Sequence, residues 1–174
     1  PFHYEILKKL KIHRINFKYL KYLTQAGGAL DENILKYLIG VFKKKKIDFI
    51  QMYGQTEASP RISYLPFSMA GEKFGSIGKV IPGGKMYLRK NKKQKIGEII
   101  YEGKNVFIGY SSGRKDLKNK IQKKKVLETG DLAWVDEDGY FYVVGRKDRL
   151  IKVAGLRINL DEIKTFLNKE NIKA

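Results

Sequence analysis

The chain has 174 residues, a formal net charge of +18 and no cysteine. The lack of cysteine excludes disulfides, thiol catalysis and thiolate-bound metals. No apolar run reaches the roughly 18 residues that a membrane span needs, and no secretory signal opens the chain, so we expect a cytoplasmic protein with no membrane span. Since the first residue is Pro1 rather than Met, we expect a fragment or trimmed form of a longer protein.

The positive charge comes mainly from lysine, since only seven of the 36 basic residues are arginine. The lysines lie in runs at residues 43–46, 90–95 and 118–125, between apolar segments. Such runs are typical of solvated loops and helix faces, and we therefore expect no nucleic-acid partner. A basic nucleic-acid-binding module is the alternative, and it predicts strongly salt-dependent binding to DNA or RNA.

The first part of the chain carries an α/β pattern. Residues 1–18 predict a short helix, and the β-prone residues 19–24 predict a buried strand. Asp31 as N-cap and the lysines at 43–46 then bracket a second helix. Residues 47–52 predict another strand, so that the chain forms a β-α-β unit with parallel strands and a right-handed crossover. We expect the following residues, 58–74, to be irregular.

After Gly75 the pattern changes to short β segments separated by turn signals. Pro82-Gly83 is typical of a type II turn, and Asp138-Gly139 of a tight hairpin. We expect this half to form a small β-barrel-like subdomain packed on the α/β half.

The last residues predict the beginning of another domain. Residues 150–153 and 156–158 predict two strands joined at Gly155, and Asn159 with Glu162 three positions later is typical of a helix N-terminus. A strand pair and a two-turn helix cannot bury a core of their own, so we expect the start of an α+β domain. The predicted division is an α/β part at 1–70, a β-rich subdomain at 71–147, and a hinge with the truncated small domain at 148–174.

Glycine-bearing and charged motifs recur at the ends of the predicted strands. Gly27-Gly28-Ala29 and Tyr53-Gly54-Gln55-Thr56-Glu57 follow the two parallel strands, where ligands gather in sheets of this kind. Thr129-Gly130-Asp131 and Gly145-Arg146-Lys147-Asp148 place small and charged residues at the ends of otherwise apolar strands. Packing alone does not explain polar groups held at these places.

In order and spacing, these motifs resemble those of the adenylate-forming enzymes, the superfamily of acyl-CoA synthetases, peptide-synthetase adenylation domains and luciferases. The resemblance covers nearly the whole chain. It implies part of an AMP-binding large domain followed by a hinge and a small domain. It also implies an enzyme that uses ATP and Mg²⁺ to activate a carboxylic acid as an acyl-adenylate. The acyl group would then pass to CoA or to the phosphopantetheine of an acyl carrier protein.

The resemblance implies roles for the residues of the first two motifs. Tyr53 would stack on adenine, while the backbone of Gly27, Gly28 and Ala29 approaches the other face. Gly54 belongs to the same nucleotide motif. An ordinary aromatic residue at a strand end is the alternative for Tyr53.

Further roles concern the phosphates and the ribose. Thr56 would donate to the α-phosphate, and Glu57 would hold magnesium. Asp131 would accept from the ribose hydroxyls, with support from Arg146. A simple ion pair between Asp131 and Arg146 is the alternative, and it is compatible with the role of Asp131 in binding the ribose.

The resemblance also implies a moving small domain. Asp148 would be the hinge, since an exposed polar residue at a domain boundary can absorb a dihedral change, and Gly155 would line the pantetheine channel. A plain turn between two strands is the alternative for Gly155. The family's phosphate loop and adenylation lysine would lie outside these residues, so we expect the chain alone to be inactive. A non-catalytic nucleotide-binding remnant is the remaining alternative.

Overall fold

The computed structural model describes residues 2–118, 125–153, 156–160, 163, 166 and 167, and within them ten strands form three sheets. The helices are α1 (Phe2–Lys9) and α2 (Glu32–Lys45). The strands are β1 (Tyr22–Gln25), β2 (Asp48–Tyr53), β3 (Ser63–Leu65), β4 (Lys79–Val80), β5 (Lys85–Arg89), β6 (Gly97–Glu102), β7 (Val126–Val135), β8 (Phe141–Arg146), β9 (Leu150–Val153) and β10 (Leu156–Asn159). Short 3₁₀ segments lie at Ile12–Arg14, Thr56–Ala58, Phe67–Met69, Arg114–Lys118 and Lys147–Arg149.

The first sheet has the order β1-β2-β3-β4, and α2 connects its two parallel strands, β1 and β2. Asp31 caps α2, because its Oδ1 accepts hydrogen bonds from the amides of Asn33 (2.9 Å) and Ile34 (3.2 Å). The helix ends at Lys46, whose positive φ of 54° places it in the left-handed region. The predicted β-α-β unit with parallel strands is confirmed, and both glycine-bearing loops follow strands of this sheet.

The core of this part lies between α2 and β2. Phe42 of the helix and Phe49 of the strand are fully buried and stack with ring centroids 5.4 Å apart. Leu38 and Ile47 are buried in the same cluster. Burying a side chain of this size contributes about 1.5–3 kcal/mol relative to leaving it in water. These contacts fix the position of β2, from whose end the candidate site begins.

Two predictions for this part were wrong. The strand predicted at 19–24 begins only at Tyr22, and Tyr19 and Tyr22 are 82% and 62% exposed, because β1 has just one neighbouring strand among the described residues. Residues 58–74 are not wholly irregular, since they contain β3, which pairs antiparallel with β2. A strand of three residues is too short to show a period of two in the sequence, and only its tertiary pairing defines it.

The second sheet is antiparallel, with the order β5-β6-β7-β8. The turn into β5 has a φ of 79° at Gly83 and a 3.1 Å hydrogen bond from the amide of Gly84 to the carbonyl of Ile81, as predicted for a type II turn. Between β7 and β8, Gly139 has a φ of 80° and closes the predicted hairpin. The fold class of an α/β part followed by a β-rich part is confirmed, and β5 and β8 are the edges of this sheet within the described residues.

One hydrophobic cluster joins the two parts. Ala58 and Ile62, from the segment after β2, are buried against Ile99 and Tyr101 of β6 and Phe141 of β8. This shared core places the loop that follows β2 directly against β6 and β7.

The predicted strand pair at the C-terminal end is confirmed, since β9 and β10 are antiparallel with Leu156 beside Val153. Gly155 and Glu162 lie outside the described residues. The predicted domain limits remain predictions, and β4 lies beyond residue 71 although its sheet partner β3 lies before it. In the described ranges there is no helix with the length and apolar character needed to cross a membrane.

Candidate nucleotide-binding site

The loop that follows β2 reaches across to β7 and meets Asp131. The hydroxyl of Tyr53 donates a 2.6 Å hydrogen bond to Oδ2 of Asp131. The amide Nε2 of Gln55 donates to the same oxygen at 2.9 Å and to the carbonyl of Thr129 at 2.7 Å. Two motifs that lie 78 residues apart along the chain therefore form one cluster.

Asp131 is held on its other side by β8. It lies opposite Arg146 in the β7–β8 register, and Nε of Arg146 is 3.7 Å from Oδ1 of Asp131. That distance is too long for a hydrogen bond and leaves an electrostatic attraction. The Asp131 side chain is only 10% exposed. The predicted ion pair is thus present, while Oδ1 accepts no hydrogen bond from any described residue.

Thr129 braces the backbone next to Asp131. Its hydroxyl donates to the carbonyl of Ile99 at 2.9 Å and accepts from the amide of Asp131 at 3.1 Å. The residue is buried. The Thr-Gly-Asp segment, which lies within β7 rather than at its end, is therefore fixed to the neighbouring strand, and the direction of the Asp131 carboxylate is fixed with it.

The environment of Tyr53 keeps its hydroxyl protonated. Burial, together with the negative charge of Asp131 and the hydrogen bond to it, raises the pKa of Tyr53 far above its usual value. Tyr53 therefore remains a hydrogen-bond donor to the carboxylate at any physiological pH.

Gly54 is needed because the loop after β2 folds back on itself. A Cβ at this position would lie 2.5 Å from the carbonyl oxygen of Pro60 and 2.7 Å from the amide nitrogen of Arg61. The amide of Ile62 then bonds the carbonyl of Tyr53 at 2.9 Å. The structure thus gives Gly54 a role in closing the loop, and its predicted contact with nucleotide stays a prediction.

Asn105 anchors the far side of this loop. Its Nδ2 donates to the carbonyls of Ala58 (2.6 Å) and Arg61 (2.8 Å), and its Oδ1 accepts from the hydroxyl of Tyr101 at 2.7 Å. The two bonds to the carbonyls fix the path of the backbone just after Thr56 and Glu57, and the bond from Tyr101 orients the Asn105 side chain.

Thr56 and Glu57 lie at the start of the 3₁₀ turn in this loop. The Thr56 side chain is exposed, and its hydroxyl makes no hydrogen bond to the described residues. Oε1 of Glu57 accepts a short hydrogen bond from the hydroxyl of Tyr110, while the Glu57 carbonyl accepts from the amide of Phe107 at 2.7 Å. The hydrogen bond from Tyr110 lowers the pKa of Glu57, which keeps this carboxylate ionised.

A magnesium ion fits Glu57 by the chemistry of its donor. Among the described residues there is no group of three or more His, Cys, Asp or Glu side chains that could hold a metal. Mg²⁺ commonly binds one or two carboxylates together with water and substrate phosphates. A single ionised carboxylate that bonds Tyr110 through one oxygen suits that mode of binding.

The loop Gly27-Gly28-Ala29 is exposed at the end of β1. Gly27 has a φ of 81°, a conformation that favours glycine. The buried Gln25 donates from Nε2 to the carbonyl of Gly28 at 2.5 Å and so ties the loop to the sheet. The backbone of the loop is thus open on the side away from the sheet.

Next to Gln25, one buried polar atom has no partner. Gln51 lies beside Gln25 in the parallel register, and its Oε1 is buried without a hydrogen bond among the described residues. Most buried polar side-chain atoms in folded proteins have a hydrogen-bond partner, so this oxygen is an acceptor that a ligand's donor could use. Gln25 and Gln51 lie near the ends of β1 and β2, the two strands from which the glycine-bearing loops start.

The predicted hinge lies at the exposed corner between β8 and β9. Asp148 belongs to the 3₁₀ segment Lys147–Arg149, and its side chain is 71% exposed. Its Oδ1 lies 3.3 Å from Nε of Arg146, the same nitrogen that faces Asp131. Position and exposure suit a hinge, and its motion remains a prediction.

Comparison with known proteins identifies the family. Residues 2–111 match the family model described as AMP-binding enzyme. The chain belongs to this family. The resemblance inferred from the motifs is thereby confirmed.

The curated relatives of this chain include CoA ligases. It is 30% identical over 162 residues to the probable 4-coumarate–CoA ligase 1 of Dictyostelium discoideum, covering 90% of this chain and 29% of the relative. It is 36% identical over 143 residues to the 2-succinylbenzoate–CoA ligase of Oceanobacillus iheyensis, covering 81% of this chain and 29% of the relative. The chain thus spans about three-tenths of the length of these curated relatives.

The same relationship is seen in solved structures. The O-succinylbenzoate coenzyme A synthetase of Bacillus subtilis, in complex with ATP and magnesium ion, superimposes with a TM-score of 0.74 at 26% identity. The match covers 98% of this chain and 36% of that one. The complex of that synthetase with its acyl-adenylate intermediate gives a TM-score of 0.74 as well.

Three residues that contact the predicted site residues or their neighbours were not predicted from the sequence. Gln55 was read only as part of its motif, although its amide bonds Asp131. Glu98 is a buried carboxylate within the apolar strand β6, and a charge in such a strand is a signal that sequence could have given. Tyr110 is 80% exposed and gave no signal, because only the fold brings its hydroxyl to Glu57.

Proposed function

We propose that the intact protein activates a carboxylic acid with ATP as an acyl-adenylate and then transfers the acyl group to CoA. The observation that carries this proposal is the convergence of Tyr53 and Gln55 on Oδ2 of Asp131. It fixes a carboxylate beside the nucleotide motif with its other oxygen available to a ligand. The phosphopantetheine of a carrier protein is the alternative acceptor, and a cytoplasmic location remains a prediction.

The first step joins an oxygen of the substrate carboxylate to the α-phosphorus of ATP. The bond from that phosphorus to the bridging oxygen breaks, and pyrophosphate leaves with the electron pair. Since the carboxylate is a weak nucleophile, the protein contributes chiefly by positioning it and by stabilising charge on the phosphate oxygens.

Asp131 would bind the ribose. Its Oδ2 already accepts two hydrogen bonds, so Oδ1 is the oxygen that would accept from the 2′ and 3′ hydroxyls. Arg146, with its Nε 3.7 Å from Oδ1, attracts the carboxylate electrostatically and helps to orient it. The low exposure of this side chain limits competition from water.

Adenine would lie between the ring of Tyr53 and the backbone of Gly27, Gly28 and Ala29. The parallel pairing of β1 and β2 supports this proposal, because it brings their two following loops to one edge of the sheet. Gln51, whose Oε1 has no hydrogen-bond partner among the described residues, lies on β2, one of these two strands. Gly54 allows the loop to turn away tightly after Tyr53.

Thr56 and Glu57 would act on the phosphates. The exposed hydroxyl of Thr56 would donate to an α-phosphate oxygen. Magnesium, when bound at Glu57, would supply positive countercharge to the phosphates. The hydrogen bond from Tyr110 holds the Glu57 carboxylate in one orientation and leaves its Oε2 for the ion.

Asp148 and Gly155 would serve the second step, in which a thiol displaces AMP from the acyl-adenylate. Asp148 would be the point about which the residues after it rotate, and Gly155 would leave room for the pantetheine arm. The predicted limits at 1–70, 71–147 and 148–174 belong to this proposal, with the last range as the beginning of the moving domain.

The test is acid-dependent exchange between ATP and pyrophosphate by the intact protein, over a panel of aryl, fatty and amino acids. Exchange with one class of acid, lost in Glu57→Gln but kept in Glu72→Gln, would support the proposal and identify the substrate class. Absence of exchange with every acid, from a folded protein that still binds AMP, would overturn it in favour of a non-catalytic nucleotide-binding protein.

A further inference from the structure

A buried carboxylate outside the predicted site connects two of its parts. Glu98 lies on β6, and its side chain is only 8% exposed. Its Oε2 lies 2.6 Å from Nη2 of Arg89 and 3.2 Å from Nζ of Lys147, while its Oε1 accepts from the amide of Gly130 at 3.3 Å. Glu98 therefore contacts both the Thr-Gly-Asp segment of β7 and the corner between β8 and β9 where the predicted hinge lies.

The location of Glu98 follows from an irregularity in the second sheet. The β6–β7 register shifts between Glu98 and Ile100, where the Thr-Gly-Asp segment of β7 forms a bulge in the ladder. Such a bulge leaves backbone groups without their usual partners. The Glu98 carboxylate takes the place of the missing acceptor for the amide of Gly130, the residue immediately before Asp131.

The two cations make this carboxylate stable as an ion. Burial raises the pKa of Glu98, but hydrogen bonds from Arg89 and then Lys147 outweigh burial and leave the pKa lowered. Arg89 is itself oriented by Glu128, whose two oxygens accept from Nη1 and Nη2 at 2.6 and 2.7 Å. A buried charge with this many partners is costly to disturb on one side only.

The partners of Glu98 lie next to residues of the proposed mechanism on both sides. Gly130 precedes Asp131, and Lys147 separates Arg146 from Asp148. The chain segment that would have to remain still while the hinge turns is therefore the segment that Glu98 holds.

We propose that Glu98 is a positioning residue for both half-reactions, fixing the ribose carboxylate of Asp131 and clamping the hinge at Lys147 so that rotation begins only at Asp148. This inference rests on the proposed function. Glu98 touches neither substrate nor reacting atoms, and acts through Gly130 and Lys147.

Three variants of the intact enzyme separate this role from simple structural support. Glu98→Gln weakens both arms of the contact, the Asp131 arm through Gly130 and the hinge arm through Lys147. Lys147→Met removes the hinge arm alone, and Glu72→Gln changes an exposed carboxylate outside this network. Lys147 is 60% exposed, so its variant remains folded and useful even if Glu98→Gln does not fold.

The measurements are the KM for ATP in pyrophosphate exchange, the single-turnover rate of thioester formation from preformed acyl-adenylate, and thermal unfolding. We expect Glu98→Gln to raise the KM for ATP about tenfold, the usual effect of a weakened hydrogen bond to a charged group. Lys147→Met should lower the ratio of thioester rate to exchange rate in a protein that still folds, because Arg89 and the amide of Gly130 continue to hold Glu98. Glu72→Gln should change neither the KM for ATP nor this ratio by more than about twofold, as for other exposed side chains.

The inference would be overturned if folded Glu98→Gln had an unchanged KM for ATP and Lys147→Met had an unchanged ratio of thioester rate to exchange rate. The proposed function would still stand in that case, provided that the wild type catalyses exchange. If wild type shows no exchange at all, the proposed function fails instead. Calorimetric binding of AMP then decides the Asp131 arm, because equal affinity in wild type and Glu98→Gln overturns it and weaker binding in the variant supports it.

Discussion

The hydroxyl of Tyr53 donates a 2.6 Å hydrogen bond to Asp131, although 78 positions separate the two residues. The bond links the end of β2 to β7 of the antiparallel sheet. It also occupies Oδ2 of the carboxylate, while Oδ1 accepts no hydrogen bond from the described residues and lies 3.7 Å from Nε of Arg146. The proposed nucleotide site depends on this arrangement more than on any other contact.

Removing this hydrogen bond should weaken both stability and nucleotide binding. Tyr53→Phe keeps the ring but leaves Oδ2 of Asp131 with Gln55 as its remaining described donor. We expect a loss of about 1.5–3 kcal/mol in the free energy of unfolding, the usual contribution of a hydrogen bond to a charged group. Urea unfolding measures the loss, and calorimetric AMP binding should weaken with it.

The matched control is Tyr87→Phe, which removes a 2.9 Å hydrogen bond to Glu102 on the exposed face of the second sheet. AMP affinity should not change in this variant. Equal AMP affinity in Tyr53→Phe and wild type would show that the hydrogen bond does not orient the site.

A charge at position 55 should make nucleotide binding depend on pH. Gln55→Glu places a second carboxylate beside Oδ2 of Asp131, and like charges raise the pKa of one partner. Repulsion is greatest when both are ionised, so AMP binding should weaken as pH rises and recover in part as pH falls. AMP titrations between about pH 5 and 8 test this, and a pH-independent affinity equal to wild type would contradict it.

Tyr110 should lower the pH at which Glu57 becomes protonated. The folded-state pKa of Glu57 lies below its ordinary value, chiefly because of the hydrogen bond from Tyr110. This stabilisation of the folded state is present at pH values above the ordinary carboxyl pKa, and it is lost as the pH falls through the folded-state pKa of Glu57. Tyr110→Phe removes the donor, so the acid limb of magnesium-dependent exchange should move to higher pH.

The control for this prediction is Tyr19→Phe, since Tyr19 is 82% exposed and lies on a different part of the chain. It should leave the pH profile unchanged. A profile in Tyr110→Phe that coincides with wild type would show that Tyr110 does not act on Glu57.

Gly54 should tolerate no side chain. Gly54→Ala would press a methyl group into the backbone of Pro60 and Arg61, and overpacking of this kind costs about 1–3 kcal/mol. The loop would also shift and carry Tyr53 away from Asp131. Chemical unfolding and AMP binding should both report the change.

Gly40→Ala is the matched control, because Gly40 lies in α2 with no atom near its missing Cβ. Alanine should stabilise the helix there by about 0.5–1 kcal/mol. Opposite signs for the two substitutions are expected, and a neutral Gly54→Ala would contradict the tight loop.

Local chemistry made much of the fold predictable. The carboxylate of Asp31 caps α2, and Pro82-Gly83 forms the predicted turn, because each depends on residues close in sequence. The three-residue strand β3 and the exposure of Tyr22 depend on sheet pairing, which leaves no local signal in so short a stretch.

The residues of the proposed site were suggested one by one by resemblance, and their hydrogen-bond network was not predicted. Tyr53 and Asp131 were assigned by resemblance, and their contact emerges only when the core joins the two sheets. Gln55 stands at a position whose role depends on where β7 lies. The contact of Tyr110 with Glu57 likewise requires the fold, since nothing near Tyr110 in sequence marks it.

The most direct measurement compares the affinities of AMP and 2′,3′-dideoxy-AMP for the intact protein and for Asp131→Asn. If Asp131 accepts hydrogen bonds from the ribose, wild type should prefer AMP by about tenfold or more, as expected for hydrogen bonds to a charged group. Asp131→Asn should lose most of that preference. Equal affinity of wild type for both nucleotides, or a preference that survives in Asp131→Asn, would contradict the assignment of this cluster as the ribose site.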